Sequence, residues 1–165
     1  MRGDPEILDL LNECLTAELT AVNQYFADYK MCENWGFGHL AEKFREDSID
    51  EMRDAEMLIT RILYFEGVPN LQRLGAVRVG ETVHEKLTLA LDVEREAIER
   101  LNRGVATCVA KGDNGTRQLL EGILTGEEEH ADWLETQLEL IRTLGEALYL
   151  ANQVDGGSGG AGSGD

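Results

Sequence analysis

Basic side chains are scarce in this 165-residue chain, 15 against 32 acidic ones, which leaves a net charge of −17. So negative a surface repels nucleic acid and anionic membrane and attracts metal cations, although most of it is a solvated exterior. Cysteine occurs three times, as Cys14, Cys32 and Cys108, with no Cys-x-x-Cys pair, which excludes a disulfide framework and a thiolate zinc site. These cysteines read as small core residues. Long apolar runs are missing too: the N-terminal stretch is broken by Asp9, Asn12 and Glu13, so it offers neither a secretory core nor a membrane span. The expected compartment is the cytoplasm. Only two prolines are present, Pro5 and Pro69, and neither interrupts an apolar stripe.

Four such stripes are present. Asp4-Pro5 is a helix start, a capping acid followed by proline at the first helical position. Ile7, Leu8, Leu11, Leu15, Val22, Tyr25 and Tyr29 then recur at three- and four-residue steps and predict a helix to Asn34. Gly36-Phe37-Gly38 breaks it. A second stripe through Leu40, Phe44, Met52, Ala55, Ile59, Ile62 and Phe65 predicts a helix reaching Gly67. Residues 67–81 carry Gly67, Pro69, Gly75 and Gly80 without helical period, and such a length permits a crossover that makes helices two and three parallel. The third stripe uses Val83, Leu87, Leu91, Ile98, Leu101 and Val105, up to Lys111-Gly112. Residues 112–115 read as a turn, with Thr116 capping a fourth helix whose stripe is Leu120, Ile123, Leu124, Leu134, Leu138 and Ile141, until Gly145. A fifth segment, Glu146 to Asn152, is too short to stand alone and finds no obvious seat on a four-helix bundle. The fold class is therefore all-α: one four-helix bundle over residues 1–153, and a flexible Gly/Ser-rich tail over 154–165.

Acids interrupt these stripes at one repeated interval. Glu18, Glu51 and Asp54 in the first half are followed by Glu94, Glu127 and His130 in the second, each partner 76 positions later. Glu18 falls between Leu15 and Val22, Glu94 between Leu91 and Ile98, and Glu127 between Leu124 and Leu134, so periodicity points them inward. A buried unpaired carboxylate is costly enough to seek a cation or a proton. A bundle that holds two metal ions takes one Glu from each of two helices and a Glu-x-x-His from each of the others. This chain matches that set except that Asp54 stands where His is asked for. Residues three apart face the same way and can hold one metal between helices or bridge two; carboxylate with imidazole suits iron or manganese, and imidazole also accepts zinc. The alternative is a set of buried acids paired with Arg or Lys.

The chain resembles bacterioferritin from Met1 to about Gln153. The resemblance is carried by Gly3-Asp4, Glu18-Leu19 with Asn23-Gln24-Tyr25-Phe26, Asn34-Trp35-Gly36, Ser48-Ile49-Asp50-Glu51-Met52, Glu66-Gly67-Val68-Pro69-Asn70-Leu71, and Glu127-Glu128-Glu129-His130 with Asp132-Trp133-Leu134-Glu135-Thr136. It implies a ferritin-like bundle with a long crossover and a short fifth helix. It also implies a hollow shell of 24 subunits that oxidises Fe(II) with oxygen or peroxide and stores ferric mineral, with a ferredoxin-type protein as reductant. Glu18 and Glu94 would then be terminal ligands, Glu51 and Glu127 would bridge, and His130 would ligate one iron, two irons per subunit. Asp54 faces the other iron with the reach of a His but an added negative charge. Four carboxylates neutralise two Fe(II) ions, and Asp54 makes a fifth; the excess favours Fe(III) or is removed by protonation. Met52 leaves the helix about 100° round from Glu51 and cannot join that centre; by resemblance it supplies one axial thioether to a haem b shared by two subunits. Tyr25, two turns beyond Glu18, is near enough to bond a ligand or pass an electron. Glu46, Asp47 and Asp50 are candidates for an iron path along the inner surface or are simply a solvated face. His39 and His84 carry no assigned chemistry. The alternative within the family is a non-catalytic haem-binding or structural subunit of a mixed shell, in which Asp54 marks a decayed site.

Overall fold

The computed structural model describes residues 1–155, so all but the first two residues of the tail expected over 154–165 lie outside the described residues. Five helices follow in order: α1 Pro5–Asn34, α2 Gly38–Tyr64, α3 Val83–Lys111, α4 Asn114–Leu144 and α5 Glu146–Ala151. Helix α1 packs on α2 and α3, and α4 packs on α3, α2 and α5, which leaves α2 and α3 diagonal across the bundle. The two diagonal helices run the same way. Both end beside the start of α1: Gly3 N–H donates to the Phe65 carbonyl at 3.2 Å, and Lys111 Nζ reaches Asp4 at 3.2 Å.

The connection over residues 65–82 climbs the flank of α1. Asn70 N–H donates to Asn12 Oδ1 at 2.8 Å, Gly75 N–H to Thr20 Oγ1 at 2.9 Å and Arg78 N–H to Gln24 Oε1 at 3.2 Å. At its upper end Lys86 Nζ, wholly buried, donates to the Gly80 carbonyl at 2.8 Å and to Asp28 Oδ1 at 3.0 Å, beneath the Trp35 ring.

Capping explains the boundaries, including two that differ from expectation. Asp4 accepts from Glu6 N–H as foreseen. Helix α2 ends at Tyr64 rather than Gly67, because Glu66 takes the left-handed conformation at φ 58°, with Glu66 N–H on the Leu63 carbonyl and Gly67 N–H on that of Ile62. A glycine would suit position 66 better, but the small residue is needed next door: a Cβ on Gly67 would meet Leu8 Cδ2 at 2.5 Å. Helix α4 starts at Asn114 with Asp113 as its cap; Thr116, expected to cap, is instead capped, its N–H bonding Asp113 Oδ1 at 2.9 Å. Gly112 at φ 71° closes α3.

The hydrophobic interior divides in two about a polar middle. One cluster gathers Tyr25, Phe44, Leu87, Leu91 and Leu134, the other Ile7, Leu11, Leu58, Leu101 and Leu120. All three cysteines are buried and unbridged. Helix α5 does find a seat, contrary to expectation: Tyr149 is buried in the first cluster and donates to Gln137 Oε1 of α4 at 2.9 Å. Met52, placed on the stripe of the second helix, is instead half exposed on its outer face. No helix among the described residues is long and apolar enough to cross a membrane.

Candidate metal centre

Between the two apolar clusters the stripes turn acidic on all four helices at one level. Glu18 of α1, Glu51 of α2, Glu94 of α3 and Glu127 of α4 are all buried, and Asp54 and His130 project from the next turns of α2 and α4. Their donor atoms form two overlapping groups. Oxygens of Glu51, Glu94 and Glu127 gather with a ring nitrogen of His130, and oxygens of Glu18, Glu51, Asp54 and Glu127 gather in the second, every atom within 4.8 Å of the others in its group. Glu51 and Glu127 belong to both.

The arrangement is expensive in free energy without a cation. Both oxygens of Glu51, Glu94 Oε2, Glu127 Oε1 and His130 Nδ1 are buried without a hydrogen-bond partner. Burial, with Glu51 and Asp54 beside it, raises the Glu18 carboxyl well above its usual range, and burial with the neighbouring acids does the same to Glu127. Asp54 is pushed up to about 7 by burial and then by Glu51. Burial would raise Glu94 as well, yet Glu127, His130 and the Tyr25 hydroxyl overcome it and hold Glu94 below its usual value. Burial opposes charge on His130, but Glu51 and Glu94 outweigh it and carry the imidazole up to about 11. A divalent cation resolves all of these conflicts together, since it displaces the protons and occupies the unpaired oxygens.

All six residues singled out from the sequence are thus brought together, Asp54 among them. Among the described residues no Arg or Lys pairs with the acids of the centre, and His130 is their cationic partner: its Nδ1 lies 3.2 Å from Glu51 and 3.7 Å from Glu94. Tyr25 Oη donates to Glu94, as its two-turn spacing from Glu18 suggested. Of the three candidate path acids, Asp47 and Asp50 stand 3.5 and 3.6 Å from His130 Nε2, with Lys43 paired to Asp47, whereas Glu46 is exposed. Asp47 is buried, so it is not part of a solvated face. His39 and His84 lie away from the centre, His39 beside Asp155.

A ferritin-like domain matches residues 8–144. Bacterioferritin of Mycobacterium leprae is 53% identical over 93% of this chain and 97% of its own, and that of Streptomyces coelicolor 51% identical over 94% and 93%. The solved Mycobacterium tuberculosis bacterioferritin BfrA superposes with a TM-score of 0.92 at 51% identity, covering 93% of this chain and 97% of that one. The chain belongs to the bacterioferritins. As a bacterioferritin it is an iron-storage protein whose bundle carries a clustered carboxylate and histidine metal site of the ferroxidase kind. The donors fit that assignment, being hard oxygens with one imidazole, a set suited to Fe(II). The half-exposed Met52 of this bacterioferritin follows Glu51 on α2 but leaves the helix on a different face, outside both donor groups.

Proposed function

We propose that each chain takes two Fe(II) ions as substrate between Glu18, Glu51, Asp54, Glu94, Glu127 and His130, oxidises them, and passes Fe(III) into the cavity of a 24-subunit shell for storage as mineral. The observation that carries this reading is the sharing of Glu51 and Glu127 between two four-donor groups, which is what a pair of adjacent ions needs. Glu18 with Asp54 serves one ion and Glu94 with His130 the other. Tyr25 donates its hydroxyl hydrogen to Glu94 and fixes that carboxylate's orientation. Each Fe(II) gives up one electron; hydrogen peroxide accepts both, its O–O bond breaks, and two protons complete two waters. Dioxygen is the other oxidant this chemistry admits.

Haem b belongs at Met52, one per pair of subunits. Half exposure on an outer face suits a thioether that completes its site with the same residue of a second copy. The cytoplasm is the compartment where such a store and its ferredoxin-type reductant would meet.

A non-catalytic subunit of a mixed shell is disfavoured by one feature: Asp54 turns into the donor group instead of away from it. Iron oxidation by the pure homopolymer, run beside its sedimentation, tests the proposal. Rapid oxidation of two Fe(II) per chain in a 24-subunit particle is expected, and an assembled particle without rapid oxidation would transfer the role to the mixed shell.

A further inference from the structure

A cavity of about 390 Å³ opens on the seam between α1 and α3, roofed by the crossover. Its inner end reaches the metal centre, because the buried Glu18 and Glu127 are part of its wall and Glu127 Oε1 has no hydrogen-bond partner. Ala17, Ala21 and Ala97 keep the passage open by being small. The roof is pinned where Gly75 meets Thr20 and Arg78 meets Gln24.

The mouth is distinctive in charge. Arg73, Arg78 and Arg100 all line it. Its two rim acids are already engaged: Glu96 receives both Arg78 amino groups at 3.2 Å, and Glu13 is held by Arg100 at 3.5 Å and Arg103 at 3.3 Å. Arg73 has no ion-pair partner among the described residues. Three arginines against two rim acids leave the mouth with one positive charge in excess, which opposes the approach of a divalent cation. A neutral molecule meets no such barrier. The seam on the other side of the bundle, between α2 and α4, is the reverse, with Asp47 and Asp50 standing against His130.

Given the di-metal reading above, we propose that the cavity under the crossover is the entrance for a small neutral oxidant, hydrogen peroxide, and that the arginines at its mouth keep Fe(II) from using the same door. The electrons move as already balanced, two Fe(II) to two Fe(III) and one peroxide to two waters. Separate doors let the oxidant reach a loaded centre without displacing iron on the way in.

The test uses the full-length protein in stopped flow. Ala17→Phe fills the passage from α1, and Ala76→Trp covers it from the exposed crossover, where folding is not at stake. With two Fe(II) preloaded anaerobically, both variants should lower the second-order rate constant for hydrogen peroxide by about tenfold. Uptake of Co(II), followed by its visible absorption, should keep its rate and its two ions per chain. Arg73→Glu should speed Co(II) uptake at low salt, an effect that fades at high salt, and leave the peroxide rate unchanged. An unaltered peroxide rate constant in Ala76→Trp, or slower Co(II) uptake in either filled variant, overturns the proposal. Failure of the wild-type protein to bind two Co(II) overturns the di-metal reading itself, and the entrance with it.

Discussion

Asp54 on α2 and Glu18 on α1 bring carboxylate oxygens to within 4.8 Å of each other, in the donor group that lacks His130. Both carboxyls are raised, that of Glu18 by burial, then by Glu51 and Asp54, and that of Asp54 by burial and then by Glu51. In the proposed di-metal centre Asp54 serves the same ion as Glu18. Asp54→Ala should therefore leave one ion under-coordinated and lower rapid Fe(II) oxidation by about tenfold or more. Asp54→His keeps the reach, removes the fifth negative charge and should speed turnover, because Fe(III) is held less tightly. Stopped-flow oxidation of both variants, with Co(II) stoichiometry as a control, decides the matter; an Asp54→Ala protein as fast as wild type would mark the site as decayed.

The protons held at the centre set a pH dependence. Asp54 has its carboxyl raised from 3.8 to about 7, so the stability that it contributes to the metal-free protein is complete below about 4 and is lost as pH rises through about 7. His130, raised from 6.5 to about 11, adds stability that is complete below 6.5 and lost towards 11. The metal-free fold therefore weakens as pH rises, from about 4 upward through Asp54 and from about 6.5 upward through His130. Metal binding has the opposite trend, since ligands must shed their protons first. Unfolding melts of metal-free protein at pH 5 and pH 8 should show the higher midpoint at pH 5. Co(II) titration in a weakly buffered solution at pH 7 should release protons, and no release would contradict the proton-loaded centre.

The 76-residue repeat and the four stripes make the bundle and the six residues of its carboxylate and histidine cluster legible in the sequence, because helical periodicity shows which side chains face inward. Boundaries were less legible. Gly112-Asp113-Asn114-Gly115 has the composition of a turn, yet Asp113 is a helix cap, and both roles draw on the same short polar side chain. The seat of α5 depends on Tyr149 reaching Gln137, a tertiary contact that no local pattern announces. Asp28 and Lys86 carry a legible signal of their own: Asp28 lies on the inward stripe between Tyr25 and Cys32, and Lys86 adjoins Leu87 on the third. Two opposite charges on apolar stripes of different helices are a signal of a buried pair.

Met52 supplies a prediction separable from iron oxidation, because it lies outside both donor groups. Protein reconstituted with haem should show a low-spin spectrum at one haem per two chains. Met52→Leu should abolish that spectrum while oxidation of two Fe(II) per chain continues. Haem content that survives Met52→Leu unchanged would remove Met52 from the site.

Lys86 and Asp28 form an ion pair whose side chains are essentially without exposure, 0% and 1%. Burial pushes the Asp28 carboxyl up to about 6 even with Lys86 beside it, so the aspartate depends on that cation to remain charged at neutral pH. Lys86 also satisfies the Gly80 carbonyl where the crossover enters α3. Lys86→Met should strip Asp28 of its partner and destabilise the protein by about 3–5 kcal/mol, measured by urea unfolding at pH 7. Adding Asp28→Leu should recover most of that loss, since two apolar side chains leave no charge stranded, but not all of it, because the Gly80 carbonyl still lacks its donor, a deficit of about 1–3 kcal/mol. A single Lys86→Met variant as stable as wild type would show that water reaches Asp28 and that the pair does not hold the crossover to α1.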